Sequence, residues 1–178
     1  MIDHLAGGPS IRAARIDLRP PTSADAPRLA ALANDFEVVR HTGGMPYPYG
    51  VADAEAFIAR AVGADPASEV HFAIELPGEG PIGAIGFYPG AGAGPEVGYW
   101  LGRPYWGRGF ASEALKAALT WAARDWGRRC VTASHHVDNA ASATVLIKAG
   151  FLYTGVVEPR PCRARGAPLA SRWMVWLA

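Results

Sequence analysis

The chain has 178 residues, half of them apolar and 19% charged, enough to bury a core and too apolar for a disordered polymer. The formal net charge is +1, so no overall field draws in nucleic acid or an anionic membrane, and neither is expected as a partner. No apolar run is long enough to span a membrane, and the first ten residues lack a secretion signal's basic-then-apolar pattern, so a cytoplasmic protein is expected.

Residues 1–14 are small and Gly/Ala-rich and read as a loose leader, with one domain over residues 15–178. Residues 16–19 alternate and stop at Pro20-Pro21, as an edge strand does. Thr22 to Asp25 can open a capped helix continuing through Leu29 and Leu32, and residues 35–40 form a second short one. The Pro/Gly-rich segment 41–50 is irregular; its aromatics, Tyr47 and Tyr49, either line a pocket or cover the core. Asp53 caps a third helix carrying Ile58 and Val62.

Residues 70–76 and 82–88 alternate at period two and make a hairpin, and residues 97–101 add a third strand, so the three form an antiparallel meander. A helix begins near Ala111, with Ala114, Leu115, Ala118, Leu119 and Ala122 on one face, and closes near Trp126-Gly127. A strand over 131–134 and a helix begun by Asn139 or Asp138 follow. The closing strands, 151–157 and 171–177, flank a polar loop whose Arg160, Arg163 and Arg165 read as solvated. This order predicts a mixed α/β domain, a mostly antiparallel sheet of six to seven strands with about four helices, parallel where a helix crosses over. Cys130 lies in an apolar strand and Cys162 in an Arg/Pro loop, and they are not read as a disulfide pair.

The stretch from Glu96 to Ser112 carries the chemistry. A strand runs into a loop with Pro104, Gly107 and Gly109 and then into a helix, so backbone N–H groups converge in front of a positive helix end. That geometry suits a phosphate or pyrophosphate. A nucleoside-triphosphate loop would need Lys and a hydroxyl residue after Gly107, where Arg108 and Gly109 stand. A dinucleotide fingerprint would need a third glycine where Ser112 stands, and a parallel unit where a meander precedes the loop.

Residues 96–101 with Tyr105-Trp106-Gly107-Arg108-Gly109-Phe110-Ala111-Ser112-Glu113-Ala114-Leu115 resemble the acyl-CoA pyrophosphate motif of the GNAT acyltransferase superfamily. The form is that of the Rim-type ribosomal-protein N-terminal acetyltransferases. Asn139-Ala140-Ala141-Ser142 with Lys148-Ala149-Gly150-Phe151 is similar to the second cofactor motif of that superfamily. Leu18-Arg19-Pro20 and Pro46-Tyr47-Pro48-Tyr49 add a weaker likeness.

The resemblance implies a GNAT-type sheet splayed between the fourth and fifth strands. It implies CoA pyrophosphate on the N–H groups of Arg108, Gly109, Phe110, Ala111 and Ser112, with Gly107 and Gly109 allowing close approach. Trp106 stands where the basic motif begins with Arg or Gln. Pantetheine would pair along Tyr99, Trp100 and Leu101, and Gly98 mid-strand suggests a bulge or a close ligand. Asn139 would orient pantetheine or a water, Ser142 would donate to the departing sulfur, and Glu96 would act as base through water. Each has an ordinary alternative: a helix cap, a first-turn serine, a strand-end carboxylate. Leu146 occupies the place of the tyrosine acid that many members carry. His135 or His136 is an alternative base and Tyr153 a fallback acid.

The implied activity is acetyl-CoA-dependent N-acetylation of a primary amine by direct attack on the thioester, the acceptor being a protein N-terminus or a small amine. Acetyl-CoA is the co-substrate and no metal is expected, since the five histidines lack ligand spacing. Rival readings are an acyltransferase using another acyl group or acceptor, and a non-catalytic acyl-CoA sensor. The chain is expected to act as a monomer or homodimer.

Overall fold

Short polar side chains at several helix starts accept from backbone N–H groups, either of the first turn or of the cap residue before it. Thr22 N donates to Asp25 Oδ2 (2.7 Å) and Glu37 N to Asp35 Oδ1 (3.0 Å). Ser142 N donates to Asn139 Oδ1 (3.1 Å). Asp53 serves the third helix from inside its first turn, accepting from Gly50 N (2.9 Å). Gly50, and not Asp53 as the sequence suggested, is thus the residue before the helix.

The computed structural model describes residues 8–90, 92 and 94–178. The elements are β1 (Ile11–Arg12), β2 (Asp17–Arg19), α1 (Ala26–Ala33), α2 (Phe36–Val39), α3 (Val51–Gly63), β3 (Val70–Leu76), β4 (Gly80–Tyr88) and β5 (Glu96–Leu101). Then follow α4 (Phe110–Arg124), β6 (Cys130–His136), α5 (Ala140–Lys148), β7 (Leu152–Arg160) and β8 (Leu169–Leu177). The sheet order is β1-β2-β3-β4-β5-β6-β8-β7. All neighbours are antiparallel except β5 and β6, which are parallel and register at only one pair, Glu96 with Thr132.

The mixed, mostly antiparallel sheet matches the sequence reading, with eight strands in place of six or seven. The additional strand is β1, two residues paired with β2, too short to carry a period and set within the segment read as a leader. Residues 1–7 of that leader lie outside the described residues.

Alternation along β5 divides the core in two. Val97 and Leu101 join the cluster built on Leu115, Ala118 and Leu119 of α4, and Tyr99 packs against it. Trp100 points the other way, onto Ala30 and Ala33 of α1 and Ala54 and Ile58 of α3. Tyr49 is buried there at 6% exposure while Tyr47 is 50% exposed, so each reading of the 41–50 aromatics holds for one of them. Gly98 marks no bulge: the register of β4 with β5 is continuous. A Cβ there would lie 3.1 Å from the Tyr88 ring, closer than ordinary contact, so a side chain on β4 crowds this position.

One ion-pair network ties β2 to the start of α1. Arg19 Nη1 and Nη2 each donate to an Asp25 oxygen at 2.8 Å, and its Nε donates to Glu75 on β3. Asp25 is 5% exposed. Burial pushes its carboxyl up, but the Arg19 and Thr22 hydrogen bonds more than offset this and hold it below the usual range. Truncating one partner strands the other charge, so Arg19→Met is expected to cost about 3 kcal/mol in denaturant unfolding. Because the folded value lies below the unfolded one, the contribution is complete above about pH 4 and is lost as pH falls through the folded value. Melting temperatures of wild type and Asp25→Asn followed into acid should therefore converge.

Candidate active site

β5 and β6 run side by side only at Glu96 and Thr132, where Thr132 N donates to Pro95 O (2.9 Å). Beyond this point they part. β5 stays paired along its whole length with β4, so the edge it turns toward β6 has backbone groups free of any ladder. This is the splay expected between the strands over 97–101 and 131–134.

Past β5 the chain turns through Arg103–Tyr105 and reaches α4. Tyr105 pins the turn: its Oη donates to Glu79 Oε2 (2.8 Å) and accepts from Arg28 Nη2 (2.7 Å). Trp106 Nε1 donates to Leu101 O (2.8 Å), so the indole closes the corner between strand and loop. Gly107 and Gly109 have φ of 71° and 83°, in the region that favours glycine. α4, like α1 and α3 but unlike α2 and α5, has no side-chain cap, and its first N–H groups are free for an anion. The guanidinium groups of Arg15 and Arg108 lie over the Phe110 ring, at 4.6 and 4.9 Å.

Arg15 is a residue that sequence reasoning missed. Its Nη1 donates to Arg108 O (3.0 Å), and its backbone N and Nε donate to Glu113 at 2.6 and 2.7 Å. It joins the start of β2 to the first turn of α4. Its signal, one arginine before an alternating strand, carried no spacing to the glycines ninety-odd residues on.

At the base of the opening Glu96 is 18% exposed by its side chain. Arg160 Nη2 donates to both its oxygens at 2.8 Å, and Ser134 Oγ donates to Oε1 at 3.1 Å. Arg160, read as solvated from the sequence, therefore reaches back from the end of β7 to the head of β5. Arg165 likewise pairs with Asp138. One lone pair of Oε2 remains for a water or an amine.

On the α4 side of the sheet, Tyr99 Oη lies 3.0 Å from Ser142 Oγ, across the opening on the first turn of α5. Asn139 caps that turn and so fixes where Ser142 stands. Leu146, one turn on, is 1% exposed within the core and presents no hydroxyl to the opening.

The two histidines at the end of β6 differ. His135 Nδ1 lies 2.9 Å from His136 O, which can only accept, so Nδ1 carries the proton and Nε2 accepts from Tyr153 Oη (3.1 Å). Neither ring nitrogen is free. Ser171 Oγ donates to Leu169 O (3.0 Å), so it accepts from His136 Nδ1 (2.8 Å). That leaves His136 Nε2 unprotonated and without a hydrogen bond among the described residues. Burial lowers the His136 pKa; Asp138 works against this, and Arg165, His41 and Arg160 reinforce it, so the ring is neutral near pH 7.

A cavity of 670 Å³ lies where α1 and its corner meet the turn after β5, bordered by Leu32, Asn34, Phe36, Tyr47, Arg103 and Pro104. Among the described residues, no group of three His, Cys, Asp or Glu side chains is placed to hold a metal ion, and no helix is long and apolar enough to cross a membrane. Cys130 and Cys162 are unpaired.

The family model described as "Acetyltransferase (GNAT) domain" matches residues 15–152. Among solved structures, the chain is similar to a GNAT-family acetyltransferase from Bacillus anthracis at 22% identity and a TM-score of 0.80, over 94% of this chain and 98% of that one. It is similar to RimJ of Mycobacterium smegmatis, solved with CoA-disulfide, at 22% identity and 0.83, over 95% and 87%. It is also similar to spermidine N-acetyltransferase of Vibrio cholerae, solved with CoA and spermine, at 17% identity and 0.76, over 92% and 95%. No curated protein matches it by sequence. At such identities the structures speak for the fold, whereas the family model spans most of the chain: the protein belongs to the GNAT acetyltransferase family and is an acyl-CoA-dependent N-acetyltransferase.

Proposed function

We propose that the chain moves the acetyl group of acetyl-CoA onto a primary amine by direct attack on the thioester, in the cytoplasm. The observation that carries this is the opening between β5 and β6, with an uncapped helix end beyond it and an anchored carboxylate at its base. The N–H groups of Arg108 to Ser112 would receive the pyrophosphate, Gly107 and Gly109 permitting close approach. The free edge of Tyr99, Trp100 and Leu101 would pair with pantetheine amides, and Trp106 would keep that edge in line.

Glu96 then stands where the attacking amine must lose its proton. It accepts that proton through a water as the new C–N bond forms. The C–S bond breaks with its electron pair on sulfur, beside Ser142 on the opposite wall. Asn139 holds Ser142 there and supports the pantetheine arm. The acceptor would approach from the α1 and α3 face, with its distal part in the cavity between Phe36, Tyr47 and Arg103.

His136 offers a second reading for the base, favoured by its bare Nε2, since both oxygens of Glu96 are already engaged by Arg160. Thiol release from acetyl-CoA against a panel of amines and peptide N-termini tests the function. Release that depends on one acceptor class supports it. CoA binding with no release on any acceptor would favour a sensor module. Release with a different acyl-CoA alone would correct the donor.

A further inference from the structure

Leu146 presents no hydroxyl from the second turn of α5, and Tyr99 supplies one from the facing wall. Its ring leaves β5 on the α4 side, and its Oη meets Ser142 Oγ at 3.0 Å and Ser142 O at 3.4 Å. The carbonyl already serves the backbone ladder of α5 as the acceptor of a helical N–H, and the shorter contact is to the hydroxyl. The ring is packed against the core cluster that holds α4, so its direction is fixed by burial.

We propose that Tyr99 is a positioning residue for the leaving thiolate: its phenol donates to Ser142 Oγ and so aims the Ser142 O–H at the sulfur. The inference rests on the acetyl-transfer reading above. Two hydroxyls in series form a donor chain in which each bond polarises the next. Burial pushes the Tyr99 phenol up to about 12, the Ser142 bond pulling slightly the other way, so it keeps its proton throughout the working range and acts as a donor. A serine alone is free to rotate toward neighbouring carbonyls, and with Tyr99 fixed behind it one rotamer is selected. When the C–S bond breaks, the electron pair stays on sulfur and is met by the Ser142 hydrogen. No proton leaves either hydroxyl, and the thiolate is later protonated from solvent.

The thiol of bound CoA reports on this arrangement without any acceptor. The measurement follows alkylation of the thiol by a neutral electrophile across pH, read as the mass of modified CoA, in wild type, Tyr99→Phe, Ser142→Ala and the double variant. Calorimetric CoA binding and thermal melts run alongside. The thiol is expected to ionise about one pH unit higher in Tyr99→Phe than in wild type. Ser142→Ala should shift it at least as far, and the double variant should shift it no further than Ser142→Ala. With an amine that turns over, Tyr99→Phe should lower kcat about tenfold and leave KM for acetyl-CoA nearly unchanged.

An unchanged midpoint in Tyr99→Phe would overturn the inference. So would a double variant that shifts beyond Ser142→Ala, because Tyr99 would then act independently of Ser142. A wild-type chain that binds no CoA would overturn the acetyl-transfer reading itself.

Discussion

Gly109→Val is expected to weaken CoA binding about a hundredfold while leaving the domain folded. Gly109 sits at φ 83° immediately before α4. That conformation costs an ordinary residue about 1–2 kcal/mol, and a β-branched one more. A Cβ there would also stand 3.3 Å from Arg15 Nη2, so the loop and the guanidinium beside it would both have to move. The N–H groups from Arg108 to Ser112 would then no longer converge on one point. The body of α4 is insulated from this change, because Leu115, Ala118 and Leu119 are fully packed one to three turns further on. Calorimetric titration with CoA, paired with a thermal melt, separates the two effects. Near-normal affinity in a folded variant would remove the pyrophosphate from this loop.

Glu96→Gln is expected to lower kcat about a hundredfold near neutral pH, with CoA affinity nearly unchanged, and the loss should shrink as pH rises and the free amine predominates. Glutamine keeps the shape and can still accept from Arg160 through one oxygen, so the strand end should hold. The Arg160 contact sharpens the test. If Glu96 serves only to anchor β7, then Gln should cost little turnover at any pH, and His136→Gln should carry the loss instead. Rates of the two variants across pH distinguish the bases, the loss falling on Glu96→Gln if the carboxylate acts and on His136→Gln if the ring does.

Much of the fold was legible because its signals are local. Alternation over 70–76 and 82–88, the helical face of α4 and the cap at Asn139 each depend on neighbours within a few residues. The strand–loop–helix shape proposed to hold the pyrophosphate was legible for the same reason, since a strand, two glycines and a helix start lie within one short stretch. What stayed hidden depends on pairs far apart in the chain. Arg160 looked solvated because nothing near it is acidic except Glu158; its partner, Glu96, lies 64 residues away in the chain and on a strand separated from β7 by β6 and β8. Tyr99 was read for its backbone, and its side-chain partner Ser142 lies on another element. Gly98 looked like a mark of bulge or ligand; the continuous register removes the bulge, and the crowding from the Tyr88 ring on the neighbouring strand was not visible in the sequence.

The histidines illustrate the same limit more finely. Adjacent in sequence, His135 and His136 fall on opposite faces of β6. One is closed off by Tyr153 and a carbonyl, while the other keeps a bare Nε2 because Ser171 on β8 accepts from Nδ1–H and so holds the ring proton on Nδ1. Register with β8, which pairs His136 with Ser171, decides this, and register is not written in either residue.

Direct transfer to an amine is tested most plainly by acetyl-CoA carrying an isotopically labelled acetyl group, mixed with the protein with and without a responsive amine. The label should appear on the amine nitrogen in step with thiol release, and none should remain on the protein when the amine is withheld. Label held on the protein, or CoA bound with no label transferred to any amine, would contradict the account.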